Sequence, residues 1–143
     1  MKKRLIPIVL FLSLVGLGGL SLVSIHNLQG NARVINYTGV VRGATQRLVK
    51  EELKGRTDDA LIARLDGIME ELATGVGENR LIRLNDQAYQ DLLASMEDQW
   101  QELKEEIMLV RQGKDSQTLF ELSESYFQLA DTTVTAAEQY TEQ

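Results

Sequence analysis

The chain contains no cysteine, one proline (Pro7), one histidine (His26) and one tryptophan (Trp100) in 143 residues. Without cysteine there is no disulfide framework, no thiolate zinc site and no cysteine nucleophile. A lone histidine excludes histidine-rich metal centres and any mechanism that needs two imidazoles. Proline and glycine, at 1 and 11 residues, are too scarce for a loop-rich or all-β chain. The usual nucleophile–base pairs are therefore thin on the ground. No chemistry, cofactor or metal is expected of the chain itself. Its size allows one domain.

A further absence is local: no carboxylate precedes Glu51. Residues 1–50 carry seven basic side chains (Lys2, Lys3, Arg4, Arg33, Arg42, Arg47, Lys50), and the remainder carries 8 basic against all 21 acidic ones, a balance of −13. An acidic body of this kind does not track a nucleic-acid backbone. The carboxylate-free stretch in front of it calls for its own explanation.

Part of that explanation is a membrane. Lys2, Lys3 and Arg4 precede Leu5–Ile25, 21 residues without a charge, about 31 Å as a helix and enough to cross a bilayer core. Pro7 falls in the first turn, where its missing N–H costs nothing. The positive-inside rule keeps residues 1–4 in the cytoplasm as a basic tip. Residues 5–26 then span the membrane, and residues 27–143 lie outside. The competing reading is a cleaved signal peptide, whose apolar run is usually shorter, with Gly19-Leu20-Ser21 as a poor cleavage site. Both readings export the rest of the chain. His26, at the end of the apolar run, reads as an interfacial residue.

Beyond the apolar run no alternation suggests a strand, and the fold class expected is all-α: a transmembrane helix leading into an antiparallel four-helix bundle. Breaks at Gly55-Arg56-Thr57-Asp58, Thr74-Gly75-Val76-Gly77 and Gln112-Gly113-Lys114-Asp115 delimit helices over 27–54, 58–73, 78–112 and 116–143. Thr57 is the expected cap of the second, Gly113 the residue following the third, and Asp115 or Ser116 the cap of the fourth. Apolar stripes follow the helical period. They comprise Leu61, Leu65, Ile68, Met69 and Leu72; then Leu81, Leu84, Ala88, Leu92, Met96, Leu103, Ile107 and Val110; then Leu119, Leu122, Tyr126, Leu129, Ala130, Val134 and Ala137. Trp100 reads as a packing residue, with a ligand platform as the alternative. The pairs Glu70-Glu71 and Glu105-Glu106 read as solvated faces. Such a bundle returns residue 143 toward the membrane, where a second span would be expected in a longer receptor.

The first bundle helix has two stripes. Val34, Tyr37, Val41, Ala44 and Leu48 share one side, suited to its own bundle. Ile35, Gly39, Arg42, Gln46, Val49 and Leu53 lie about 100° away and make a natural contact with a second copy. A two-fold axis there brings two Arg42 guanidiniums together, at a cost of about 4 kcal/mol for an effective dielectric near 20 at ~4 Å. A small planar anion accepting paired N–H bonds from both would relieve it. The plainer reading is that Arg42 pairs with a fourth-helix carboxylate such as Glu124 or Asp131. Arg47, about 140° from Arg42 on the wheel, reads as a structural ion pair or a supporting group.

The run Ile35-Asn36-Tyr37-Thr38-Gly39-Val40-Val41-Arg42-Gly43-Ala44-Thr45-Gln46-Arg47-Leu48 resembles the P-box of nitrate/nitrite sensor histidine kinases and related pilus-type chemoreceptors, roughly I-N-x-[AST]-G-x-x-R-x-x-x-x-R-L. Ile35, Asn36, Thr38, Gly39, Arg42, Arg47 and Leu48 stand at matching positions. The resemblance covers about 14 residues and implies an anion held on a dimer axis by Arg42 of both subunits, with backbone near Gly39 assisting. Ile35, Asn36, Gln46 and Arg47 complete the candidate ligand-binding set.

These readings converge on a sensor: the extracytoplasmic input domain of a membrane signalling receptor, homodimeric through its first helix, binding a small anion such as nitrate or nitrite. The kinase, chemoreceptor or cyclase output is not among these residues. The alternatives are a helical dimerisation or protein-contact module without a ligand and an exported enzyme.

Overall fold

Nothing in the first fifty residues breaks a helix, and the computed structural model, which describes residues 2–142 (the side chains of Lys2 and Ser24 excepted), is one continuous helix from Lys2 to Leu53, α1. At 52 residues α1 is about 78 Å long. Its first half is long and apolar enough to cross a membrane, and the rest of the chain covers none of that apolar window. A buried core helix would be wrapped by protein; this one is not. His26 is exposed at the end of the run.

Three helices follow: α2 (Asp59–Thr74), α3 (Gln87–Arg111) and α4 (Gln117–Glu142). The described residues contain no strand. Each start is set by a carboxylate that accepts a free amide of the first turn. Asp58, not Thr57, caps α2 by accepting from Leu61 N at 3.0 Å. Asp86 accepts from Tyr89 N at 3.0 Å, and Asp115 from Gln117 N at 3.1 Å. Gly113 follows the last turn of α3 with φ +107°, the expected place for it. Residue 143, the expected end of the last helix, lies outside the described residues.

α1 packs against α2 and α4, and α3 packs against the same two, so α2 and α4 stand on opposite corners. Rungs between helices fix the directions. Arg111 of α3 reaches Asp59, at the start of α2, at 2.8 Å, while Lys104 meets Asp66 further along at 2.7 Å, so α2 and α3 run oppositely. One core joins all four. It includes Val34, Val41 and Leu48 of α1, the α2 stripe as expected, and Trp100 and Tyr126 with rings 6.5 Å apart.

The third helix begins later than its apolar pattern suggests. Residues 78–86 are extended or turned rather than helical. The cause is Glu71, which is buried and not on a solvated face. Its carboxylate accepts from Asn79 N (2.9 and 3.1 Å), Asn79 Nδ2 (2.8 Å) and Leu81 N (3.2 Å). Backbone amides committed to a carboxylate cannot serve a helix. Leu81 and Leu84 still enter the core, but from this extended arm. The stripe of α3 therefore starts afresh at Tyr89 and continues through Leu93, Met96, Trp100, Leu103 and Ile107; Ala88 is exposed and Leu92 half-buried instead. Glu106 is likewise buried, and it pairs with Lys114.

The buried face of α1 carries a polar group every seven residues: Thr38, Thr45 and Glu52. Thr38 meets the Tyr89 hydroxyl at 3.0 Å. Thr45 is buried on the same face, and neither its hydroxyl nor that of Tyr126 has a hydrogen-bond partner among the described residues. Glu52 is gripped by Arg111, which also holds Asp59; the two carboxylates push the guanidinium further above its already high range. The partners of Thr38 and Glu52 both come from α3, so they fix the height of α1 against that neighbour.

Candidate functional site

The candidate residues lie on α1 between Ile35 and Arg47, about 13 to 31 Å beyond residue 26 at 1.5 Å per residue. Burial along this stretch shows which face is free. Val34, Thr38, Val41, Thr45 and Leu48 are covered, whereas Asn36, Gly43, Gln46, Arg47 and Lys50 are exposed. The free face is thus centred on Asn36, Gly43 and Arg47, rotated from the second stripe that the apolar pattern draws. Val49 belongs to that stripe but is buried in the chain's own core. Ile35 is half-buried against the core, and Gly39 is half-buried on the flank.

Arg42 sits on the same flank, turned toward α4. Its Nη1 donates to Asp131 Oδ1 at 2.6 Å, with the two side chains 32% and 58% exposed. The structure therefore places Arg42 against one of the two fourth-helix carboxylates considered for it. A pair this open to water contributes at most about 1 kcal/mol and is readily exchanged for another partner. A Cβ on Gly39 would stand 4.0 Å from Arg42 Nη2, so the glycine leaves the guanidinium room on its α1 side. Gly43 has nothing within 4 Å of the same position.

Arg47 makes no ion pair among the described residues, so the expectation of a structural pair is not met. It points instead into a hollow of about 480 Å³ between α1 and α4, which Gly43, Gln46 and Lys50 line from one side and Phe120 and Glu124 from the other. Leu53 and Phe120 at this hollow are 39% and 48% exposed. The structure brings Gln46 and Arg47 together here, and keeps Arg42 on the neighbouring flank with Asp131.

Sequence reading missed Phe120 and Lys50. Phe120 falls outside the apolar stripe of α4, which was the available signal for an outward-facing aromatic. The face combines small residues, exposed apolar side chains and two cations (Arg47 and Lys50), with Arg42 on its flank and carboxylates supplied by α4. That combination suits close approach of another helix or binding of a small anion. Among the described residues no three His, Asp or Glu side chains are grouped as metal ligands would be. Trp100 is buried, its Nε1 donating to Asp66 at 2.7 Å, so it is not free as a ligand platform.

Comparison of the chain with protein-family models, curated proteins and solved structures finds no match.

Proposed function

We propose that the four helices form an up-down-up-down bundle held outside a cytoplasmic membrane by residues 5–26 of α1, and that this bundle is the input domain of a transmembrane signalling receptor. Two copies meet through the free face of α1, and a small anion of the nitrate or nitrite class binds between their Arg42 guanidiniums. The observation that carries the contact between copies in this reading is the hollow at Arg47, with its exposed Leu53 and Phe120 beside unencumbered Gly43 and with Arg42 on its flank. A second copy of α1 would bury that apolar surface, and the 14-residue P-box resemblance falls on the same helix.

The chemistry follows from charge. Bringing the faces together concentrates Arg42, Arg47 and Lys50 from both copies, and one planar anion accepting from paired guanidiniums offsets the repulsion. Arg42 exchanges Asp131 for the ligand at little cost because the resting pair is solvated. Since α1 passes directly into the membrane span, a ligand that favours one spacing of the two α1 helices over another biases the membrane helices in the same direction.

Thermal unfolding of the full chain in detergent, against nitrate, nitrite, sulfate, phosphate and acetate, tests this. One anion should raise the melting point saturably, by about 2.7 kcal/mol of stabilisation at a hundredfold excess over Kd, and Arg42→Ala should abolish the effect. The Arg42–Asp131 pair favours a second reading, a ligand-free contact module in which Arg42 is structural. Under that reading no anion shifts the wild type, and the dimer persists without one.

A further inference from the structure

We infer that the arm between α2 and α3, residues 75–86, rests on the bilayer and binds lipid headgroup phosphates through Arg80 and Arg83, with Val76 dipping toward the acyl boundary. The inference rests on the reading of residues 5–26 as a membrane span, and on three observations about where the arm sits.

The first is height. Ile82 packs onto Gly30 of α1 so closely that a Cβ on Gly30 would lie 2.9 Å from Ile82 Cδ1. Gly30 is four residues past the span, about 6 Å along the helix. The headgroup layer on one side of a bilayer is roughly 5–8 Å deep, so Ile82 is held within it. Gly75 stands against the Ile82–Arg83 backbone, 3.0 Å from Arg83 N at its virtual Cβ, which brings the end of α2 to the same level.

The second is rigidity at that height. Arg33 of α1 donates to the Arg80 carbonyl at 3.1 Å, and the buried Glu71 carboxylate organises Asn79 and Leu81. The arm is thus tied to the juxtamembrane part of α1 and to α2, not left to drift from the surface.

The third is what the arm exposes. Val76 is 76% exposed, the most exposed large apolar side chain outside the span among the described residues. Arg80 and Arg83 are exposed; of the arm's two carboxylates, Glu78 is exposed and Asp86 is half-buried, its side chain committed to capping α3. Arginine suits bidentate phosphate contact, and an apolar neighbour suits shallow insertion. In a body that is acidic overall, basic and apolar groups gathered at the membrane-facing level are placed for a lipid surface.

The chain lacks cysteine, so single introduced thiols report without background. The full chain is reconstituted in phosphatidylcholine nanodiscs, with and without phosphatidylglycerol. Nitroxide labels are placed at Leu14→Cys in the span, Val76→Cys on the arm and Ser116→Cys at the far end. Access to an aqueous nickel chelate should be lowest at 14, intermediate at 76 and highest at 116. Phosphatidylglycerol should lower it further at 76 alone. Arg80→Gln or Arg83→Gln alone should raise access at 76 by up to about fivefold, the ratio one basic side chain at an anionic lipid surface is worth, and the two combined by up to about thirtyfold. A label at 76 as open to the chelate as one at 116, with 14 still shielded, overturns the arm's lipid contact and leaves the span intact. A label at 14 open to the chelate overturns both.

Discussion

Removing the phenol oxygen from Tyr126 should leave the protein as stable as before or more stable, by about 1 kcal/mol, because that buried hydroxyl has no hydrogen-bond partner to lose. The same change at Tyr89 should cost about 1 kcal/mol, since its hydroxyl bonds Thr38 in the core. Urea unfolding of Tyr126→Phe and Tyr89→Phe at neutral pH measures both. The two phenols also set an alkaline limit. Burial pushes Tyr89 up to about 12, partly offset by Thr38, and pushes Tyr126 higher still. Below pH 10 the folded and unfolded chains hold both protons, and there the contribution to stability is complete. Between pH 10 and 12 the unfolded chain releases them while the folded chain keeps them. Stability should then fall by about 1.4 kcal/mol per pH unit for each tyrosine. Tyr126→Phe should halve the slope arising from this pair. A slope unchanged in the variant would mean that Tyr126 ionises as freely in the folded protein as in the unfolded one.

At the scale of the element, the arm before α3 depends on the contact between Gly77 and Glu71. A Cβ on Gly77 would stand 2.6 Å from the Glu71 carboxyl carbon, and that carboxylate is pinned by Asn79 and Leu81 and cannot step aside freely. Gly77→Ala should therefore destabilise by about 1–3 kcal/mol, the range for overpacking a closed site. Hydrogen exchange should show the added opening in residues 78–86 before it reaches α1. The same arm marks where sequence reading stops. Leu81 and Leu84 are three apart and precede the α3 pattern, so they mimic a helical stripe. Only the burial of Glu71, several residues away and looking like half of a solvated acidic pair, makes the segment extended. Where apolar spacing is uninterrupted and ends at a capping carboxylate, as in α2, the element and its buried face are readable directly. The site was legible in part. The residue run follows from spacing, whereas the rotation that buries Val49, turns Arg42 to Asp131 and centres the free face on Gly43 follows from how α4 packs, which spacing on α1 alone does not encode.

Across the whole molecule, charge is divided between a basic α1 and an acidic remainder, and two of the heptad-spaced polar groups of α1, Thr38 and Glu52, tie it to α3 at a fixed height. Sliding α1 past its own neighbours would break the Thr38–Tyr89 and Glu52–Arg111 contacts together, so the proposed receptor would need motion between copies rather than within one. That places the weight of the proposed receptor on the free face of α1, where Gly43 offers a clean test. In the single chain nothing lies within 4 Å of a Cβ there, and leucine is a far better helix former than glycine. Gly43→Leu should therefore raise the stability of the monomeric fold by roughly 0.5–1 kcal/mol. On a face that meets its twin, the same side chain would hold the two backbones apart. Sedimentation of the full chain in detergent should then show the dimer weakened while thermal unfolding shows each subunit strengthened. A variant that is both more stable and equally dimeric would move the contact off this face, and with it the anion site proposed between the two Arg42 side chains.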